Sequence, residues 1–410
     1  MKRWFHRMII FLGILGPGFI TSTADNDAGG IATYAITGAQ EGYGLLWILL
    51  LITLSLAIIQ EMSSRMGIVT GQGLAGLIRE KFGVRWTLMA MLLLLFANIC
   101  ATISNFSGIA ASMELFGVSR YISLPIFLLF ILWLLMMGTY RFVERVFLFS
   151  SLFYFAYVFS GFMAKPEWNK VAAGLIPSFK TDTDYLILVI ALIGTTITPW
   201  MQFYLQSSIV EKRIKVTHIK YSSAEVYIGA FFTDFISFFI IIATAATLFK
   251  AGIKIDSAEH AALALKPLVG QYCSILFAVG LLNASLLAGS ILPVTTSYAI
   301  CEAFGWESGV DKKIKEAPIF FSIFAFTAII GAAFVLLPKI NLMKVMLLSQ
   351  AINGILLPFI LIFMLLIIND KKIMGEYVNS RIRNIVSYLT AIGLIVLTII
   401  LLVFTVKDLF

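Results

Sequence analysis

"ITSTADNDAGGIATY", residues Ile20 to Tyr34, sits inside a stretch that is otherwise apolar from Met8 to about residue 38. Asp25 and Asp27 flank Asn26, and Gly29 and Gly30 follow at once. A carboxylate near the middle of a bilayer costs at least about 3 kcal/mol, and two nearby anions repel each other as well. A chain that keeps both carboxylates there needs a compensating positive charge.

The rest of the chain makes the bilayer the right setting. Of 410 residues 60% are hydrophobic and only 13% are charged, and the mean hydropathy is +0.96. Soluble domains are about half apolar and a quarter charged. Apolar runs of about 20 residues, the length that crosses a hydrocarbon core, recur along the sequence. Period-two alternation is missing, which excludes a barrel. The expected fold class is all-α and polytopic. Cys100, Cys273 and Cys301 are far apart with no CxxC, so they form neither a zinc site nor a disulfide framework. The net charge of +8 is read as basic loops at a membrane rather than a nucleic-acid surface. No cleavable signal is expected, because the first apolar run lacks a small-residue cleavage site.

Eleven hydrophobic segments are expected, at 8–38, 44–63, 86–116, 120–139, 142–164, 184–210, 222–249, 270–304, 317–337, 343–368 and 384–406. With the N-terminus inside, the inner segments hold 20 of the 30 Lys and Arg residues, a twofold bias that predicts a cytoplasmic N-terminus in the cell membrane. "GIVTGQGLAGLIREKFG", from Gly67, is too polar to span and is expected to form a short amphipathic helix on the inner side. Residues 256–268 are expected to do the same outside.

A second interruption, "GTTITP" (Gly194 to Pro199), breaks the sixth segment. Each break opens a block of five spans, 8–164 and 184–368, with 384–406 left as an extra helix. Five is odd, so the second block is inverted relative to the first. Two interrupted helices at matching places in two halves point to a transporter binding site. Unwound turns free backbone carbonyls that lipid cannot satisfy. Glycine tolerates such turns, and Pro199 removes a donor and disfavours helix at Thr198. The expected ligands are Asp27, Asn26 and Asp25 from the first break and carbonyls or hydroxyls at Thr195 and Thr198 from the second. All are oxygen donors, which suits magnesium, calcium or manganese. The competing reading, a kink whose acids pair with a buried Lys or Arg, lacks an obvious partner well inside any span.

"GPGFITSTADNDAGGIATY", "GIVTG" and "GTTITPWMQFYLQSS" together resemble the Nramp divalent-metal transporters, and within them the Nramp-related magnesium transporters. The resemblance covers most of the chain. It implies the leucine-transporter fold, with inverted five-helix repeats and metal bound between broken helices 1 and 6. In the family's DPGN motif the aspartate falls on Asp27, the proline on Ala28 and the asparagine on Gly30. The family's helix 6 has an alanine and a methionine three apart, then Pro-His; those positions are Thr195, Thr198, Pro199 and Trp200 here. Losing the soft thioether favours magnesium over softer metals. Family acids for a proton path on helix 3 have no counterpart in "ANICATISNFSGIAASM" (Ala97 to Met113), and Trp200 replaces the helix 6 histidine. This predicts uptake without proton coupling. Asn98, Thr102, Ser104, Asn105 and Ser107 are neutral groups suited to holding the water that magnesium sheds reluctantly.

Gln350, Gln202 and Asn283 are candidates for the outer shell of the ion, weighed against hydrogen bonds between helices. Asp234 is read either as an outer-shell or gating acid or as lying close enough to the outer surface to be hydrated, with the latter favoured. Glu61, Glu144 and Arg145 are read as gate or surface ion pairs. The expected function is magnesium uptake by alternating access, with the divalent ion and the bilayer as partners. No cofactor, nucleic acid or obligate protein partner is expected. The alternatives are a proton-coupled manganese or iron importer and a sodium-coupled symporter of organic solutes. A membrane metalloenzyme is disfavoured because no catalytic His/Cys/Glu cluster occurs.

Overall fold

The computed structural model describes residues 16–136 and 151–407, and the regular elements among them are helices. The first segment is two helices, α1 (Pro17–Asp25) and α2 (Ala28–Glu41). Next come α3 (Leu46–Thr70), α4 (Leu74–Leu115), α5 (Arg120–Met136) and α6 (Phe155–Met163). The sixth segment is also two helices, α7 (Thr183–Thr196) and α8 (Pro199–Glu211). The chain continues with α9 (Ile219–Thr244), α10 (Cys273–Phe304), α11 (Pro318–Val335), α12 (Leu342–Ile368) and α13 (Arg381–Lys407).

Among the described residues eight helical stretches are long and apolar enough to cross a membrane, with α7 and α8 counted as one. The halves α1 and α2, of 9 and 14 residues, are each too short alone. Residues 8–15, the end of the fourth expected segment and residues 142–150 of the fifth lie outside the described residues, as do Glu144 and Arg145.

Local chemistry sets the boundaries. Pro199 takes the first position of α8, where its missing N–H is no loss. Thr198 before it is extended (φ −78°, ψ 143°), as the proline ring requires. Asp182 caps α7 by accepting from the Tyr185 amide, and Asn341 caps α12 by accepting from Lys344. The polar stretch from Gly67, expected as one short helix, is divided between two. α3 runs on to Thr70, and Gly71 caps it in the left-handed region. A short helix from Leu74 ends at Gly83, whose φ of 77° would strain any other residue, and a long helix follows. In the outer segment, Ala258–Ala262 forms a short helix.

The broken sixth segment is the innermost: 94% of its apolar window is buried, against 22% for α13. α7 lies along α12, α4 along α10 and α12, and α9 along α1, α2 and α3. Small residues bring backbones close at these crossings. A Cβ on Gly354 would run into the Ile190 carbonyl, and one on Gly194 into Gln350 and Gly354 backbone. Gly354→Ala therefore lowers the melting temperature in detergent, by the equivalent of about 1–3 kcal/mol of overpacking. Differential scanning fluorimetry reads the shift.

Glu61, read as part of a gate or surface ion pair, is buried rather than at the surface, and its partner is Arg65. Their ion pair, at 3.2 Å, is buried. Arg65 also donates to the carbonyls of Tyr377 and Val378 at 2.9 and 3.1 Å, and Arg383 of α13 sits 3.5 Å from Glu61. The pair lies inside because α3 continues seven residues beyond the expected limit of 63.

Candidate metal-ion site

Asp27 is the hub where the first broken segment meets its neighbours. Its backbone is extended (φ −75°, ψ −176°), and its side chain caps α2 by accepting from the Gly30 amide at 2.7 Å. Asn105 of α4 donates to the other oxygen at 2.9 Å, and Gln350 of α12 donates to the first at 3.3 Å. Both amides are themselves held. Asn105 accepts from the Ala28 amide and donates to the Ala101 carbonyl, and Asn353 donates to the Gln350 oxygen at 2.9 Å. Asp27 is buried, and its hydrogen-bond partners are neutral. The carboxylate is oriented without being neutralised, so its charge is left to attract a cation.

Gly30 faces oxygens of both broken segments. A Cβ placed on Gly30 would lie 2.9 Å from the Asp25 carbonyl oxygen, 3.3 Å from the Thr195 hydroxyl and 3.5 Å from an Asp27 carboxylate oxygen. Three oxygens from both broken segments thus converge beside Gly30, where a side chain would crowd them. The Thr195 and Thr198 hydroxyls are buried and have no hydrogen-bond partner. Gln202 donates to the Thr198 carbonyl at 3.4 Å while its own side-chain oxygen is unpartnered. Buried polar atoms without partners are uncommon. Thr195, Thr198 and Gln202 bring such atoms to the second break.

The expected ligands separate into two groups. Gln350 and Thr195 come together with Asp27, while Thr198 and Gln202 lie at the second break, where Gln202 donates to the Thr198 carbonyl. Asn26 faces away: its amide donates to the Thr233 carbonyl at 3.3 Å and accepts from Ser237 at 3.0 Å, both on α9, and its carbonyl accepts from Tyr154 at 2.9 Å. Asp25 offers its backbone carbonyl at Gly30, whereas both of its carboxylate oxygens are buried without hydrogen bonds. Asn283, buried on α10, is not among Asp27's hydrogen-bond partners. Asn105 enters the hub as a direct partner of Asp27 rather than only a holder of water. The signal for it was its position two turns from Asn98 on one face of α4. Met201 sends its sulfur toward Gln60, 3.9 Å from that amide nitrogen.

Asp234 is also corrected. It is 3% exposed, and neither carboxylate oxygen has a hydrogen-bond partner, so it is buried rather than hydrated at a surface. Depth could not be read from its place in an apolar helix.

Residues 18–404 match the family described as natural resistance-associated macrophage protein-like, or Nramp. The chain is similar to the divalent metal cation transporter MntH of Clostridium acetobutylicum, with 29% identity over 419 residues, covering 96% of this chain and 91% of the relative. It is 27% identical over 409 residues to the MntH of Bacillus subtilis, covering 97% and 93%. Its fold is similar to that of a manganese transporter of Eremococcus coleocola, with a TM-score of 0.75 at 22% identity over 96% of this chain and 86% of that one. It is also similar to MhsT in complex with L-phenylalanine, with a TM-score of 0.62 at 14% identity over 94% and 97%.

Proposed function

The chain belongs to the Nramp family of divalent metal transporters, as a multi-pass membrane protein of leucine-transporter fold and not an enzyme, and on that premise we propose that it imports manganese through the Asp27 hub. The observation that carries this reading is an acid buried at a helix break, oriented by neutral donors, beside a point ringed by oxygens from both breaks. Manganese accepts oxygen ligands as readily as magnesium does. The relatives named as divalent metal cation transporters support a divalent cargo, and the structural neighbour named as a manganese transporter brings manganese ahead of the magnesium expected from the residues. In this reading an inward proton gradient accompanies uptake.

Uncoupled magnesium uptake is the second reading. It is favoured by the hydroxyl at Thr198, by the turning of the Met201 sulfur toward Gln60, and by the lack of any acid in Ala97 to Met113. The membrane potential alone supplies about 2.3 kcal/mol per charge per 100 mV. In either reading residues 8–164 and 184–368 form the two inverted blocks, 384–406 adds a helix, and the N-terminus is cytoplasmic in the cell membrane.

The test is uptake of manganese and magnesium into proteoliposomes with an internal pH dye. Manganese uptake with internal acidification, resisting excess magnesium, supports the first reading. Equal uptake of magnesium with constant pH supports the second, and uptake of neither ion sinks both. Thr198→Met adds a thioether at the second break and shifts competition toward manganese and away from magnesium, about 10-fold for a change near 1.4 kcal/mol.

A further inference from the structure

We propose that Asp25 and Asp234 hold a second hard cation, at a subsite distinct from the Asp27 hub. The two acids come from α1 and α9, which run in near contact: a Cβ on Gly229 would lie 3.2 Å from the Gly18 carbonyl. Asn26, next to Asp25, is stapled to Thr233 and Ser237, which bracket Asp234 on α9. That staple sets the register, and Asp25 lies within electrostatic reach of Asp234. Both are buried, at 2% and 3% exposure, and none of their four carboxylate oxygens has a hydrogen-bond partner. No ion pair among the described residues includes either acid.

The neighbouring hydroxyls are neutral and have other acceptors within reach, so they do not offset the charge. Thr53, beside Asp234, donates to the Leu49 carbonyl at 2.7 Å. Ser237 has Asn26 and the Thr233 carbonyl as acceptors at 3.0 and 3.1 Å. Thr196 has the Leu192 carbonyl as an acceptor at 2.9 Å, and it shares a hydrogen bond of 3.0 Å with the Tyr34 hydroxyl, which is near both acids. These groups also offer lone pairs. Two carboxylates and a surround of neutral hydroxyl oxygens form a site for an oxygen-seeking cation, divalent or sodium. Among the described residues no cluster of three His, Cys, Asp or Glu side chains occurs, so neutral oxygens complete the shell. The existence of this subsite is independent of the cargo assigned to Asp27; its role as a companion to transport rests on that reading.

The experiment measures ions bound to the purified full chain by equilibrium dialysis in sodium-free buffer, with manganese as probe and sodium as competitor. The expected result is two manganese ions per wild-type chain and one in Asp234→Asn, with one also in Asp27→Asn. Sodium displacing only the Asp234-dependent ion assigns the subsite to a monovalent cation and equally supports it. Stoichiometry and sodium response that are the same in wild type and Asp234→Asn overturn the subsite while leaving the Asp27 hub intact. A wild type that binds no ion overturns both. Thermal melting guards against misfolding: without cations Asp234→Asn melts above wild type, because a repelling buried charge is gone, and it gains less on cation addition. A variant that melts below wild type yet gains as much overturns the proposal.

Discussion

Asp27→Asn abolishes manganese uptake into proteoliposomes, by more than about 100-fold, while the protein still folds. Losing an outer partner of a metal ligand costs about 10–100-fold; losing the charged ligand costs more. Asparagine keeps the shape and an acceptor oxygen for the Gly30 amide, so α2 stays capped. Its amide nitrogen, however, turns one acceptor into a donor facing the donors of Asn105 or Gln350. The negative charge that draws a cation into the interior is also gone. Gln350→Ala, which removes one orienting donor, falls in the 10–100-fold range and serves as the comparison. Uptake by Asp27→Asn within a few-fold of wild type removes the hub from the mechanism.

Gly30→Ala is the second large effect, with a loss of about 10–100-fold in uptake at little change in expression. The added methyl would sit 2.9 Å from the Asp25 carbonyl and 3.3 Å from the Thr195 hydroxyl, in the space where oxygens of both broken segments converge. Alanine is otherwise a better helix former than glycine, which favours the fold. A variant that melts as wild type does but fails to take up manganese identifies the loss as occupation of the ion's place. Normal uptake places the ion elsewhere.

Both breaks were legible in the sequence, because carboxylates, paired glycines and a proline are expensive in an apolar helix and so announce themselves. The all-helical, multi-pass fold followed from hydropathy alone. The division of labour inside "ADNDAGG" was not legible. In an unwound turn neither 3.6 nor 2 residues per repeat applies, so adjacent side chains give no clue to which way each points; Asn26 turned to α9 and Asp27 to α4 and α12. Asp234 was misplaced for a related reason, since a lone acid in an apolar helix looks the same whether it faces water or another buried acid. The burial of Glu61 beside Arg65 was not legible either, because the hydrophobic run ends at 63 while the helix does not.

The turning of Asn26 and Asp27 toward different helices has a mechanical consequence. One residue is gripped by α9 and Tyr154, the next by α4 and α12, and a single peptide bond joins them. When α9 shifts against α4 and α12, the strain falls on the torsions at that bond. The seat proposed at Asp27 thus lies one peptide bond from the torsions that would take up such a shift, so loading the seat and moving α9 would act on the same few atoms.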